Sequence, residues 1–224
     1  MGCSPSIQSS CDNDELPVHQ VTLTNAFYLG RFEVTQAQWT ATMGSNPSFF
    51  QGPSYRGAPN RPVEQVSWTM AQEFVSVTGL RLPTEAEWEC ACRAGTTTAF
   101  HSGPGFPSGT DDNALAANIA WYWTGNCGGG AQCQSHVVGG KAANALGLYD
   151  MSGNVWEWVS DWYALTYYAS SPAVNPTGPV VGTQRVMRGG SWNFFTNNVR
   201  SSNRHAVAPA AASYDFGFRI ARTP

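Results

Sequence analysis

Glycine and proline break this chain so often, and tryptophan recurs so regularly between the breaks, that a helical bundle is not an available fold. Proline inside a helix removes a backbone donor and clashes with the preceding turn, and glycine loses the most backbone entropy on ordering. Each indole buries a large apolar plate and carries a single donor. With 23 glycines, 14 prolines and nine tryptophans, the chain reads as a loop-rich domain whose loops are nailed to a core by indole rings. Its 224 residues suit one domain with a real core, and residues 1–224 are read as one.

Charge narrows the partners. Only 12% of residues are charged, the net charge is −3, and the chain has one lysine, Lys141. No face can be strongly basic, so neither duplex nucleic acid nor an anionic membrane patch is an expected partner. No run of 18 apolar residues is long enough to span a membrane, and residues 1–20 lack an apolar signal-peptide core. The six cysteines include two pairs that could each close a short surface loop, Cys3–Cys11 and Cys127–Cys133, and such bridges persist in oxidising compartments. Cys90 and Cys92 lie two apart on a predicted helix, pointing away from each other, and are read as free and buried. An extracellular or cell-surface location, as a mature or truncated chain, follows as the expectation.

Three helix starts are marked by caps. Thr35 precedes Gln36 to about Met43, which Gly44 and Pro47 stop; Ser67 precedes Trp68 to about Val77, ended by Gly79. Thr84 and Glu87 form a capping box for a helix running to about Arg93 and ending at Gly95. Residues 19–23 and 27–34 alternate as strands do, as do Val155–Asp161, Arg185–Ser191 and Phe216–Ala221. Residues 95–140 read as loop anchored by Trp121, Tyr122 and Trp123. Short helices and short strands without a repeat give an α+β class.

The last 32 residues, 193–224, change character: they contain no Lys, Glu, Gln, Met or Trp. Within residues 188–219 a frame encloses a chemically scattered set. The frame is Arg188-Gly189-Gly190-Ser191-Trp192, then Asn193, Asn197, Asn198, Arg200, Ser201, Asn203, Arg204, Pro209 and Gly217-Phe218-Arg219. The scattered set is Phe194, Phe195, Thr196, His205, Ala206, Val207, Ala208, Ala210, Ala211, Ser213, Tyr214 and Asp215. Every residue of that set has a codon that differs from the asparagine codon AAC only in its first two bases. Adenine-directed mutation of asparagine codons would yield such a set, and it could never yield Lys, Glu, Gln, Met or Trp.

Four ordered segments carry a resemblance that covers nearly the whole chain. They are Gly30-Arg31-Phe32-Glu33-Val34-Thr35-Gln36-Ala37-Gln38-Trp39, Arg81-Leu82-Pro83-Thr84-Glu85-Ala86-Glu87-Trp88-Glu89, Gly153-Asn154-Val155-Trp156-Glu157-Trp158, and Arg188 to Trp192 with Gly217-Phe218-Arg219. Together they resemble the formylglycine-generating-enzyme, or sulfatase-modifying-factor, family, which implies an elaborated C-type-lectin-like fold. The link from the second helix to Arg81 is shorter than the family's. Met1-Gly2 resembles the family's early strand, which places the domain start at residue 1. The family often holds a structural calcium near the third segment, for which Gly153, Val155 and Glu157 are the candidates; Glu157 is otherwise expected to pair with Arg188 or Arg219. No other cofactor is implied.

Active members of that family use two cysteines five residues apart after the Arg-Gly-Gly-Ser-aromatic strand, binding copper as thiolates. The matching positions here are Phe194 and Val199, neither of which can be a thiolate or nucleophile. The tail resembles instead the variable region of proteins diversified by retroelements, which share the fold. That implies a non-catalytic, receptor-type protein whose ligand face is the scattered set together with Phe216. The aromatic residues Phe194, Phe195, Tyr214 and Phe216 would anchor the ligand, His205 and Asp215 would add polar specificity, and the small residues 206–208 and 210–211 would form a shallow floor. The expected partner is a protein or glycan on another cell or surface. The alternatives are an undiversified, inactive family member serving as a structural or regulatory module and, less favoured, an oxidase.

Overall fold

The computed structural model describes residues 1–3, 11–123 and 133–224. Its three helices begin where the caps place them. Helix α1 spans Gln36–Met43, with the Thr35 hydroxyl accepting from the Gln38 amide, the Gln38 side chain returning the bond, and Gly44 closing the helix in the left-handed region. Helix α2, Trp68–Thr78, is capped by Ser67 and closed by Gly79. Helix α3, Glu85–Arg93, carries the Thr84–Glu87 box but ends on Ala94 at φ 48°, one residue before the expected glycine. Each such N-cap contributes about 1 kcal/mol.

The core sheet has four strands in the order β4-β3-β2-β5. Strand β2 is Trp156–Trp162, β3 is Arg185–Arg188, β4 is His205–Val207 and β5 is Phe216–Phe218. Strands β2 and β3 pair antiparallel, with Glu157 opposite Arg188, and β3 and β4 do likewise. Strand β5 lies parallel to β2, with Glu157 opposite Gly217 and Trp158 opposite Phe218. A separate antiparallel pair joins β1, Tyr28–Leu29, to β6, Ala221–Arg222. The alternation over residues 19–23 and 27–34 therefore overstates the strands: only Tyr28–Leu29 forms a ladder, and Thr22 makes a lone bridge to Val174. Met1–Cys3 forms no strand; the Met1 ammonium donates to His19 O and the Gly2 amide to Glu89.

The indoles act as anchors. Trp158 donates to Val66 O, Trp68 to Val159 O and Trp88 to Glu157. Trp39 stacks on Phe74 at 5.4 Å and meets Phe218 edge-on. These rings tie α1 and α2 to the sheet, so the sheet edge carrying β5 and the tail is held from behind.

The Cys3–Cys11 bridge is present, with Cα atoms 5.5 Å apart. Cys133 is disulfide-bonded, and Cys127, its expected partner, lies outside the described residues. Cys92 is buried and free as expected, whereas Cys90 is free but exposed, because its position on α3 faces solvent. Among the described residues no helix is long and apolar enough to cross a membrane.

Candidate ligand-binding face

Buried arginines hold the tail in place. Arg188, at the end of β3, donates to the carbonyls of Ser201, Ser202 and Asn203 and to the Glu89 carboxylate at 2.6 Å, so it clamps the turn ahead of β4. Arg200 forms a two-pronged pair with Glu15, both contacts at 2.7 Å. Arg204 pairs in the same way with Glu85, at 2.6 and 2.9 Å, and Arg219 with Glu157, at 2.6 Å twice. Asn203 reaches Asp12 and Glu15. Burial pushes the Glu89 carboxyl up, but Arg93 and Arg188 outweigh it and hold it at about 2. Gly190 needs its left-handed backbone and its missing side chain, since an added Cβ would sit 2.6 Å from Asn198 O.

The scattered positions divide by burial. Phe195 is 60% exposed and Tyr214 41%, and Ala208 and Ala210 are also exposed. Phe194, Thr196, His205, Ala206, Ala211, Ser213 and Phe216 are half-buried. Phe194 sits edge-on against Trp156 at 5.4 Å, His205 stacks on the same indole at 5.0 Å, and Phe216 meets Trp158. Burial pulls the His205 pKa down, with Asp215 and Asp14 opposing.

Two positions correct the expectation of one exposed face. Val207 packs into the main core because β4 is a strand of the central sheet. Asp215 is 2% exposed and accepts from the Ser191 hydroxyl at 2.8 Å and the Ser213 hydroxyl at 2.6 Å. Asp215 therefore fixes the turn into β5 from inside and is not presented to a ligand.

Two exposed aromatics that the tail pattern could not reveal, Phe49 and Trp123, widen the face. Phe50 contacts Phe49, Tyr55, Trp192 and Tyr214, so the loop after α1 and the tail form one aromatic cluster. Phe49 is 59% exposed, and Tyr55 packs at the cluster's edge. Trp123, expected as an anchor, is exposed, and its amide donates to Phe194 O. The adjacent pair Phe49-Phe50 between Pro47 and Pro53 was the available signal, since an aromatic pair in a proline-bounded loop has no helix or strand to bury it.

Glu64 lies beneath this cluster. It is fully buried, accepts from the Phe50 amide at 2.8 Å, and leaves Oε2 without a partner. Burial raises its carboxyl to about 7 against the amide bonds from Phe50 and Phe49, with Asp215 adding to the rise. A carboxyl raised in the folded state binds its proton more tightly there, so its contribution is full below the unfolded value and falls as pH rises through about 7. Glu64→Gln should therefore gain stability relative to the parent between pH 5 and pH 8, by roughly 2–3 kcal/mol at the upper end. Urea unfolding at several pH values checks this; a parallel pH dependence in both proteins would rule Glu64 out as the source.

At the calcium candidates Gly153, Val155 and Glu157, the Glu157 carboxylate is engaged by protein donors. Both Glu157 oxygens accept from Arg219, and Oε2 also accepts from Trp88. The Val155 amide and the Asn154 side chain fill Glu33.

The family model for the sulfatase-modifying factor enzyme 1-like domain matches residues 2–224. The chain belongs to that family. It is 39% identical over 176 residues to a formylglycine-generating enzyme of Streptomyces coelicolor, covering 74% of this chain and 54% of the relative. The chain thus spans about half the length of that curated relative. Among solved structures it is similar to Treponema denticola variable protein 1, at a TM-score of 0.80 and 32% identity over 92% of this chain and 87% of that one. It is also similar to PvdO from Pseudomonas aeruginosa, at a TM-score of 0.81 and 26% identity over 100% of this chain and 90% of that one. The α+β, C-type-lectin-like class and the family follow from these matches. Within residues 188–219, the buried arginines that clamp the tail lie in the frame, and the exposed aromatics Phe195 and Tyr214 lie between its members.

Proposed function

We propose that this family member is a non-catalytic, receptor-type protein that presents a diversified ligand face built from residues 188–219. The observation that carries the reading is the alternation of buried Arg–Glu pairs at Arg200, Arg204 and Arg219 with the exposed side chains Phe195 and Tyr214. A frame fixed by ion pairs lets its neighbours change while the backbone stays in place. The likeness to a Treponema variable protein supports the same reading. The ligand is a protein or glycan on another cell or surface. Large, rigid aromatics such as Phe195, Tyr214 and the neighbouring Phe49 supply contact area at low entropy cost. The Cys3–Cys11 disulfide supports an extracellular or cell-surface location. The experiment that tests diversification is to sequence the DNA beside the gene. A near-copy of the tail's coding segment with AAC at the scattered positions, beside a reverse-transcriptase gene, is expected; an isolated gene would remove the diversification claim.

The non-catalytic part of the reading has its own support. Phe194 and Val199 occupy the positions that the resemblance assigns to the copper-binding thiolates. The free thiols Cys90 and Cys92 lie on α3, and burial raises both their pKa values, that of Cys92 to about 11. Neither is a ready thiolate at neutral pH. Incubating the protein with copper and a Cys-x-Pro-x-Arg peptide should leave the peptide mass unchanged, and conversion above a protein-free control would overturn this part.

A further inference from the structure

Five arginines are buried among the described residues: Arg61, Arg188, Arg200, Arg204 and Arg219. Four of them sit on glutamates, and Arg61 does not. Arg61 is 5% exposed, yet its guanidinium donates only to backbone: Nε and Nη2 to Arg56 O at 3.4 and 3.3 Å, and Nη1 to Ser135 O. Its neighbour Arg56 is exposed and, among the described residues, likewise makes no ion pair. A buried charge without a counter-charge is costly, and the cost is relieved when an anion arrives.

Both arginines wall a concavity of about 400 Å³ together with Trp121 and His136, and no carboxylate lines it. That volume is within the range of small-molecule sites. The Trp121 indole N–H is buried without an acceptor. His136 stacks on that indole at 3.7 Å, and the Lys141 ammonium, which donates to Ala117 O, lies 4.1 Å from the same ring and places a positive charge beside the cavity. Glu64 acts on Arg61 at a range longer than an ion pair, and its own raised carboxyl offsets the guanidinium only in part near neutral pH.

We propose that this concavity binds a small oxyanion, a carboxylate, sulfate or phosphate group, as a constant site beside the variable face. Tyr55 links the two: the Arg61 guanidinium lies 5.9 Å from its ring, and the ring joins the Phe50 cluster. Guanidinium groups match planar and tetrahedral oxyanions through paired N–H donors. The site does not depend on the tail's scattered residues.

The test is calorimetric titration of the whole protein with sodium acetate, sulfate or phosphate at constant ionic strength, with chloride as reference. Saturable one-to-one uptake of at least one oxyanion is expected, and the three arms distinguish planar from tetrahedral recognition. Arg56→Gln, an exposed change that leaves the fold intact, should weaken uptake at least tenfold, and Arg61→Gln should abolish it. Phe195→Ala with Tyr214→Ala should leave uptake unchanged, which separates this site from the display face. No saturable uptake in any arm, or uptake by Arg56→Gln equal to that of the parent, overturns the proposal even where Arg61→Gln fails to fold.

Discussion

Arg219→Met should lose about 3–5 kcal/mol of stability, the cost of leaving a buried carboxylate without its partner. Domains of this kind are held by only about 5–15 kcal/mol, so the variant should unfold near room temperature or accumulate poorly. Arg219 joins three parts of the chain. It pairs with Glu157 on β2, donates to Gly30 O next to β1, and donates to Tyr149 O. It also lies beside a cluster of acids. Burial drives the Glu33 carboxyl well above its ordinary value, Asp150 and Glu157 push it further, and Arg219 works against them. Removing the guanidinium leaves that cluster without its cation. The double variant Glu157→Gln/Arg219→Met should recover part of the loss, since two neutral groups avoid the stranded charge. Urea unfolding of the two single variants, the double variant and the parent measures the coupling. A single-variant loss below about 1 kcal/mol would show that the pair does not carry the frame.

Trp156→Ala should cost about 3–5 kcal/mol, as truncation of a buried aromatic typically does. For a chain of this length the melting temperature should fall by on the order of 10 °C. Trp156 is fully buried in the central strand and supports Phe194 from one direction and His205 from another. Phe195→Ala with Tyr214→Ala should instead change stability by no more than about 1 kcal/mol, because exposed substitutions are usually within about ±0.5 kcal/mol each. That pair should weaken ligand binding. Asp215→Ala should behave like Trp156→Ala in direction, since it strands two hydroxyl donors, the buried Ser191 and the half-buried Ser213. Differential scanning calorimetry of the three variants decides the division: if the Phe195/Tyr214 variant melts as early as Trp156→Ala, the exposed face is part of the core and not a display.

The helices were legible because their start and stop chemistry is local. Thr35, Ser67 and Thr84 cap from side chains within three residues, and Gly44 and Gly79 supply the left-handed exits. That Glu157 pairs with a cation was legible too, but not which one: Arg188 and Arg219 were both open, and the structure gives Arg219 because Arg188 is taken up by Glu89 and the carbonyls of residues 201–203. Strand β4 was not. His205-Ala206-Val207 has neither alternation nor length, and it becomes a strand only because Arg188 clamps the preceding turn against β3. The same long-range clamp placed Val207 in the core. Asp215 was misread as polar specificity because a lone acid in a tail carries no sign of the two hydroxyls, 24 and two residues away, that donate to it. Over residues 19–23 the alternation was real, but the ladder needs a partner that arrives only at Val174.

Because β5 is the parallel neighbour of β2, the ribosome must deliver residues 216–218 before the sheet that holds residues 156–158 can close. Arg200 and Arg204 likewise reach back to Glu15 and Glu85, segments made long before them. Non-local pairing of this kind delays folding until the last element is present. A product that stops early or loses its reading frame within the tail therefore lacks both its closing strand and its ion-pair braces and stays exposed to cellular proteolysis. Within residues 188–219, then, Phe195 and Tyr214 are presented on a settled backbone only once Arg200, Arg204 and Arg219 have found Glu15, Glu85 and Glu157.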